Sequence, residues 1–430
     1  MRIDISYDLE RSALLMKSLP NEEDNLSQFS GRSVYFSVPD GWNMSSTHPD
    51  LIALAAILSF HPFVGKSLEL NVAISEGFSR TCSRFLPYKL VTAPSPSGVG
   101  VRPKGRYPGL AFSGGVDSTA CLALLPADTR LFFLDRVLAP TDNYGGGLYV
   151  KDSALVACDL AEQRGYQVHK LETNVELART PVGFPVDWTS GVPAILLADH
   201  CDLSSISFGT VAESAYKVGH LRYRDFAAAS GFYRWNALLQ GVGLFLSLPV
   251  AGLSEVCTSS IVESSGMKDI AQSCIRGPKN QPCLNCFKCF RKVLLEAALG
   301  GRVLPGTLVD KLINFRGASK ALGALPIKHE NVLLWLHDKV EVAGHSVVWP
   351  VLRHRLSAMG TGVPWADKWY SKSLELVPVE LRSSVETNIA KYVQPMSSEE
   401  AREFEEWDMA DRLGDEALLS SVKALTNAVN

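Results

Sequence analysis

Two groups of residues in this chain have the types and spacing that chemistry requires. The first is the hexad Ser-Gly-Gly-Val-Asp-Ser at positions 113–118, which directly follows the apolar run Leu110-Ala111-Phe112. Backbone N–H groups in such a turn, at the start of a helix, suit the binding of a phosphate anion. The second is a C-x8-C-x2-C-x2-C array, formed by Cys274, Cys283, Cys286 and Cys289. Together they predict an ATP-dependent enzyme with a zinc site.

Each residue of the hexad has an expected role in binding a nucleotide. The two glycines admit positive φ and let the backbone approach pyrophosphate without a Cβ in the way. The two serines add hydroxyl donors, and Asp117 is the expected Mg²⁺ ligand because phosphate-bound Mg²⁺ keeps one or two carboxylates. The loop lacks the lysine and spacing of a Walker A motif, and an ordinary serine- and glycine-rich turn is the alternative interpretation. The expected nucleotide-binding residues here are Ser113, Gly114, Gly115, Val116, Asp117, Ser118 and Thr119, of which Asp117, Ser118 and Ser113 are the catalytic candidates.

Alternating strand and helix patterns are expected to position this loop. The predicted strands are 108–112, 131–134, 166–171 and 204–208, and the predicted helices are 119–125 and 149–165. Such alternation predicts an α/β fold with a parallel, doubly wound sheet. Because ligands bind beyond the carboxyl ends of such strands, Phe133 and Asp135 are further nucleotide-contacting candidates.

The cysteine array predicts a closed structural metal site. Two C-x2-C steps bring thiolates together from a tight turn, Cys274 completes a tetrahedron, and four sulfur ligands favour structural Zn²⁺, with an iron–sulfur cluster as the alternative. Lys288, Arg291 and Lys292 are expected to offset its negative charge. The other five cysteines are scattered and suit buried apolar positions. Since no secretory signal is recognisable, a reducing, cytoplasmic location is expected.

The hexad resembles the SGGxDS loop of the PP-loop ATP pyrophosphatases, which cleave ATP between the α and β phosphates. Together with the array and the preceding Ser273, it resembles the 7-cyano-7-deazaguanine synthase (QueC) branch over about residues 105–300. The resemblance implies an adenine nucleotide alpha hydrolase-like fold and a second nucleotide-contacting turn at Gly209-Thr210. It also implies that Mg-ATP adenylates 7-carboxy-7-deazaguanine or a similar deazapurine carboxylate. Attack by an amine then gives an amide, and a second activation gives a nitrile.

Departures from that family concern the substrate pocket and the length of the chain. Asp-Trp-Thr-Ser-Gly at 187–191 replaces the family's Arg-Asn pair, and 210–216 replaces an Asp-rich segment. The size resembles enlarged QueC-like proteins of anti-phage defence operons, which are thought to join the carboxylate to a protein amine. Ammonia and a partner protein therefore both stay open as acceptors. Trp188 and Tyr216 are candidates to stack on the heterocycle and Glu213 to pair with its N–H edge, although packing and solvation are the alternatives.

Composition and charge place the chain among ordinary globular proteins. It has 430 residues, of which 46% are hydrophobic and 20% charged, and it contains no apolar run long enough to predict a membrane span. Its 42 basic residues face 45 acidic ones, which gives no excess for binding nucleic acid. A tRNA-modifying PP-loop enzyme (thiolation or amine ligation) is nevertheless the alternative function, and a non-catalytic scaffold is a third hypothesis.

Three domains are predicted from these patterns. Residues 1–100 suit an α+β accessory domain, with strands at 2–7, 33–38 and 68–74 and a helix at 49–60, followed by a linker at 92–103. Residues 105–300 form the predicted PP-loop domain with its zinc segment. Residues 301–430 are predicted to be helical at 308–315, 329–340, 377–392 and 397–413, the last with only half a capping box at Ser398.

Overall fold

The computed structural model describes residues 1–430 apart from 96–97, 138–148, 273, 275, 279, 360–361 and 430. The strands are β1 (Arg2–Asp8), β2 (Ala13–Leu19), β3 (Val34–Ser37), β4 (Ser67–Leu70), β5 (Lys89–Thr92), β6 (Tyr107–Ala111), β7 (Arg130–Arg136), β8 (Val168–Thr173), β9 (Leu203–Ser207), β10 (Phe245–Ser247), β11 (Leu304–Pro305) and β12 (Val342–Ala343). The helices are α1 (Pro49–Phe60), α2 (Glu76–Phe85), α3 (Val116–Leu124), α4 (Lys151–Gln163), α5 (Val192–Leu196), α6 (Ala212–Ala215), α7 (Ser230–Gly241), α8 (Glu255–Ser264), α9 (Phe287–Leu299), α10 (Gly306–Asn314), α11 (Arg316–Leu322), α12 (Glu330–Leu336), α13 (Trp349–Ser357), α14 (Val379–Ile389), α15 (Ser398–Glu405) and α16 (Glu416–Val429).

The chain forms two compact units that are interleaved in sequence. The first unit consists of Met1–Ser113, Leu125–Phe208 and Ala228–Ser247. The second consists of Gly114–Leu124, Gly209–Ala227 and Leu248–Asn430. The three sequential domains predicted from the sequence stay a prediction, because these units are defined by contacts and each draws on several stretches of chain.

The first unit is built on a ten-stranded sheet in the order β10-β9-β6-β7-β8-β3-β2-β1-β4-β5. The half of this sheet that runs from β10 to β8 is entirely parallel. The next three pairs, β8–β3, β3–β2 and β2–β1, are antiparallel. Consecutive buried residues such as Leu131, Phe132, Phe133 and Leu134 on β7 fit a parallel sheet that is covered on both faces. The protein is therefore an α/β protein with a large, mostly parallel central sheet, compatible with a Rossmann-like fold.

The order of the parallel strands gives β6 a special position. From β6 the chain proceeds to β7 and β8 on one side, and it returns to place β9 and β10 on the other side. The carboxyl ends of β6 and β9 therefore flank a topological switch point, which is where doubly wound sheets bind ligands. The four strands and the α4 helix predicted for this half are confirmed, with bounds displaced by one or two residues.

The N-terminal strands continue this sheet, since Phe36 of β3 pairs with Thr173 of β8. Helix α1 occupies the residues predicted for it, whereas β2, α2 and β5 were missed. The predicted linker 92–103 is fastened to the unit by Arg102. This buried side chain lies 2.6 Å from the Asp199 carboxylate and donates to the Leu203 carbonyl at 3.1 Å.

The second unit is mainly helical. Helices α10, α12 and α14 correspond to predicted ones. The helix predicted over 397–413 is present only in its first half, because α15 ends at Glu405. Its N-cap is Ser397, whose hydroxyl accepts from the Glu400 N–H while Glu400 accepts from the Ser397 N–H. This is a full capping box, one residue earlier than the half box expected at Ser398. None of the helices in the described part of the chain has both the length and the apolarity needed to cross a membrane.

Candidate nucleotide loop and metal centre

The hexad at 113–118 forms the predicted turn between a strand and a helix. Strand β6 ends at Ala111, Gly114 has a φ of +69°, and α3 begins at Val116. The Gly115 carbonyl accepts from the Thr119 N–H at 2.9 Å and from the Ser118 hydroxyl at 3.1 Å. The N–H groups at the start of α3 therefore follow a glycine turn, as an anion-binding loop requires.

Gly209, which follows β9, lies directly against this loop. A Cβ at Gly209 would be 2.7 Å from the Ser118 nitrogen and 2.9 Å from the Asp117 carbonyl carbon. Both are backbone atoms, so a side chain could not be accommodated without moving the loop. The structure thus brings together Gly209 and the hexad, which lie about 90 residues apart in the sequence. The adjacent Thr210 is half-buried.

Asp117 is held by a residue that the sequence analysis did not single out. The Thr258 hydroxyl donates to Asp117 Oδ1 at 2.9 Å. Thr258 lies one turn into α8, which packs extensively on α3. The hydrogen bond fixes the rotation of the carboxylate that we expect to bind Mg²⁺. Nothing in the local sequence around Thr258 signals this role, since the two residues lie on different helices.

Two of the nucleotide-contacting candidates, Phe133 and Asp135, lie in the first unit. Phe133 is buried within β7. The Asp135 carboxylate lies 2.7 Å from Lys151 Nζ at the start of α4. The neighbouring Arg136 lies over the rings of Tyr149 and Phe184. These contacts leave Asp135 within a charged group at the carboxyl end of β7.

Trp188, the first of the three substrate candidates, is packed in the interior of the first unit. Its ring meets Phe208 edge-on at 4.8 Å. Gly191, on the same short 3-10 helix (Asp187–Gly191), has no room for a side chain, because a Cβ there would lie 2.6 Å from the Phe208 ring. The geometry favours packing over stacking on a ligand for Trp188.

Tyr216 and Glu213, the other two substrate candidates, are buried in the second unit. Tyr216 belongs to an aromatic cluster in which it stacks parallel to Tyr223 at 5.8 Å and meets Phe404 edge-on. Glu213 accepts hydrogen bonds from the Asn331 side-chain amide at 2.8 Å and from the Glu255 N–H at 3.1 Å. Burial, together with the Glu255 carboxylate, raises the pKa of Glu213 from 4.5 to about 7.

Glu255 is the centre of a buried charged cluster that the sequence did not reveal. It pairs with Arg291 of α9 through two hydrogen bonds of 2.9 and 3.2 Å, and His329 Nδ1 lies 3.2 Å from its carboxylate. Burial raises the pKa of Glu255, but the charges of Arg291 and Lys292 outweigh it and hold the pKa well below the usual range. Lys292 itself donates to the Ser259 hydroxyl at 3.1 Å. The sequence analysis expected Arg291 and Lys292 to offset the negative charge of the cysteine site. In the structure, both cations bind partners on α8 instead.

The cysteine cluster has the dimensions of a metal site. The sulfurs of Cys274, Cys283 and Cys289 all lie within 4.8 Å of one another, and those of Cys283 and Cys289 are 3.7 Å apart. Tetrahedral zinc with Zn–S bonds of about 2.3 Å requires sulfurs about 3.8 Å apart. This group of three cysteines can therefore hold a metal ion such as zinc.

Backbone N–H groups and the fourth cysteine complete the surroundings of this cluster. The Cys274 sulfur accepts from the Cys283 N–H at 3.3 Å and from the Arg276 N–H at 3.4 Å. Cys286 is the N-cap of α9, and its sulfur accepts from the Cys289 N–H at 3.4 Å. Hydrogen bonds from the thiols of Cys286 and Cys289 lower the pKa of Cys274. Cys286 is not part of the group of three whose sulfurs all lie within 4.8 Å of one another, so its role as a fourth ligand stays a prediction. Ser273 lies outside the described residues.

Comparisons with known proteins add one match. A family model described as "Family of unknown function (DUF6395)" matches residues 234–408, a stretch that includes α8, the cysteine cluster and α9 but not the hexad. No curated protein and no solved structure matches the chain.

Proposed function

We propose that this chain is an ATP-dependent ligase or synthase of the PP-loop type, which adenylates a carboxylate and releases pyrophosphate. The observation that carries the proposal is the hexad itself, folded as a glycine turn into the N-terminus of α3, with the backbone of Gly209 packed on Ser118. A loop of this kind presents several N–H donors and no side chain where an anion would lie. The resemblance of the six residues to the SGGxDS loop supports pyrophosphate as that anion.

The residues of this chain fit Mg-ATP. The N–H groups of the hexad and the Ser113 hydroxyl would bind the phosphates, and the Asp117 carboxylate would ligate Mg²⁺. The Ser118 hydroxyl would join them by turning away from the Gly115 carbonyl, to which it donates at 3.1 Å. Bound Mg²⁺ would supply charge neutralisation of the departing pyrophosphate. Thr258 would hold the Asp117 carboxylate in one orientation, which reduces the reorganisation needed on binding.

The reaction that we propose has two bond exchanges. A carboxylate oxygen of the substrate attacks the α phosphorus of ATP, and the bond to the β-phosphate bridging oxygen breaks to release pyrophosphate. The acyl adenylate is a better electrophile than the carboxylate, because AMP is a good leaving group. An amine then attacks the carbonyl carbon, loses a proton and expels AMP.

The resemblance of the hexad and the cysteine array to QueC proteins supports a 7-carboxy-7-deazaguanine-like substrate. The burial of Trp188, Glu213 and Tyr216 gives no support to these three residues as its binding pocket. The acceptor is ammonia or, by similarity to the enlarged QueC-like proteins of anti-phage operons, an amine of a partner protein. We further propose Zn²⁺ as the metal at the cysteine cluster, in a structural role, because its ligands are all sulfur.

The test is mass spectrometry of the purified chain with Mg-ATP and 7-carboxy-7-deazaguanine, with and without ammonium. We expect AMP release that depends on the carboxylate, and Asp117→Asn should reduce it by at least about a hundredfold. Asp159→Asn is the matched control, since Asp159 is exposed and pairs with the surface residue Lys170 at 2.8 Å. AMP release without dependence on the carboxylate would remove the deazapurine from the proposal. Equal release by the Asp117→Asn variant would overturn the assignment of the loop.

A further inference from the structure

We propose that Gln272 and Thr258 are positioning residues through which metal binding at the cysteine cluster sets the affinity of the phosphate loop for Mg-ATP. The inference rests on the proposed nucleotide binding by the loop and adds to it a coupling between two sites within the second unit. Metal binding would tighten Mg-ATP binding, and Mg-ATP would in return tighten metal binding. Two separate chains of contacts carry this proposal.

The first chain of contacts runs directly from the metal-binding segment to the hexad. The backbone N–H of Gln272, two residues before Cys274, donates to the Gly114 carbonyl at 2.7 Å. The Gln272 side chain is itself fixed: its Oε1 accepts from the Asn280 N–H at 3.3 Å and its Nε2 donates to the Asp269 carbonyl at 3.3 Å. Asn280 has a φ of +55°, in the left-handed region that asparagine adopts more readily than most residues.

The second chain of contacts passes through helices α9 and α8. Cys286 caps α9 and Cys289 lies in its first turn, so two metal-binding candidates fix the start of that helix. One turn later, Arg291 binds Glu255 of α8, with Lys292 bound to Ser259. Thr258 lies between these two α8 residues and donates to Asp117. A shift at the start of α9 would therefore reach the carboxylate expected to ligate Mg²⁺.

These contacts would couple the two sites because the residues that make them connect the cysteines to the hexad. A metal ion would hold the cysteines at fixed distances from one another, which would restrict Gln272 beside Cys274 and the start of α9 at Cys286. The ordering free energy is then already spent when the nucleotide binds. By thermodynamic linkage the nucleotide must raise metal affinity by the same factor. In coupled pairs of sites, one ligand commonly changes the affinity for the other by about 5- to 150-fold.

The experiment measures both directions on the full chain. Calorimetry would give the Kd of magnesium α,β-methylene-ATP for zinc-loaded and zinc-depleted protein, with circular dichroism to establish that both are folded. Equilibrium competition with a chromogenic chelator would give the zinc affinity with and without the same nucleotide. We expect the zinc-loaded chain to bind nucleotide about tenfold more tightly, and the nucleotide to raise zinc affinity by an equal factor.

Variants identify the residues that transmit the effect. Thr258→Val removes the hydroxyl that donates to Asp117, and Gln272→Ala removes the side chain that holds the metal-binding segment. The coupling factor is the ratio of zinc affinities with and without the nucleotide. Each variant should still bind zinc but should lower this factor toward one, and Thr258→Ser should restore it. Gln281→Ala is the matched control, because Gln281 is an exposed glutamine in the same segment.

The outcomes separate this inference from the proposed function. If the zinc-loaded chain does not bind the nucleotide, the proposed function fails and the coupling fails with it. If it binds with the same Kd with and without zinc, the proposed function stands and the coupling is overturned. If the coupling is present but unchanged in both variants, Gln272 and Thr258 are not its positioning residues. Should zinc depletion unfold the chain, the nucleotide would raise zinc affinity through folding alone. The comparison of Thr258→Val and Gln272→Ala with the Gln281→Ala control then decides, and equal coupling in all three would overturn the inference.

Discussion

Gly209 offers the sharpest test of the candidate nucleotide site. Gly209→Ala adds one methyl group, and its nearest neighbour would be the Ser118 nitrogen at 2.7 Å. Gly209 is not among the glycines with positive φ, so alanine introduces no backbone strain there. The substitution therefore tests space alone, at a position where all three nearest atoms belong to the backbone of Asp117 and Ser118.

The expected magnitude follows from the distances. The contact must lengthen from 2.7 Å to the 3.4 Å at which ordinary van der Waals contact begins, so the loop and the Gly209 segment must separate by about 0.7 Å. Binding sites require their groups to lie within about 0.5 Å of the productive geometry. We therefore expect Mg-ATP affinity to fall at least about tenfold, and the strain of overpacking to cost about 1–3 kcal/mol of stability.

Calorimetric titration with Mg-ATP and urea unfolding would measure these two quantities. Gly231→Ala is the control, since a Cβ at Gly231 in α7 would meet nothing within 4 Å. It should leave nucleotide affinity unchanged and raise stability by up to about 1 kcal/mol, as alanine does within helices. Unaltered nucleotide binding by Gly209→Ala would refute the placement of the phosphates against this part of the loop.

Three further predictions concern the buried charges and the metal. The pKa of Glu213 is raised to about 7 in the folded chain, so between about pH 4.5 and 7 the folded chain holds a proton that the unfolded chain has released. The contribution of Glu213 to the free energy of unfolding therefore falls as pH rises toward 7. Glu213→Gln should flatten that slope in urea titrations between pH 5 and 7.5, and an unchanged slope would contradict the assignment. Arg291→Met should lower the free energy of unfolding by about 3–5 kcal/mol in the same assay, because it leaves Glu255 buried without its cation. The double variant that also carries Glu255→Leu should lose less stability. Equal losses would show that breaking the ion pair is not the cause. Elemental analysis should find about one zinc per chain, much less in Cys283→Ser and an unchanged amount in Cys158→Ser, whose cysteine is buried in α4.

The parallel half of the sheet was predictable because its signals are local. Strands such as β6, β7 and β9 are short runs of buried residues between turn residues, and a doubly wound sheet follows from their alternation with helices. Strand β2 was missed because Ala-Leu-Leu-Met-Lys-Ser-Leu has no alternation of apolar and polar residues and its residues favour helices. Helix α2 was missed because it is mostly polar. Its N-cap Ser75, which accepts from the Phe78 N–H, was the signal that could have marked it.

The candidate site likewise has a part that the sequence predicts and a part that it does not. The hexad and the cysteine array are short and contiguous, so their geometry follows largely from their own residues. The charged cluster is different: Glu213, Glu255, Arg291 and His329 come from four segments spread over more than a hundred residues. Glutamate and arginine are ordinarily exposed, and no local pattern marks the few that are buried.

Glu213 shows what a sequence-based assignment of chemistry leaves open. A carboxylate near the end of a strand can pair with the N–H edge of a heterocycle, and it can equally pair with an amide or a backbone N–H of its own protein. In the structure the Asn331 amide and the Glu255 N–H occupy it. Burying Glu213, Glu255 and Arg291 together costs desolvation free energy that apolar residues would not, so stability alone does not explain the cluster. Its hydrogen bonds are directional, however, and they hold α8 at one rotation relative to α9. Because Thr258 lies on α8 and donates to Asp117, a fixed rotation of this helix would keep that carboxylate in the orientation that our proposed Mg²⁺ binding needs.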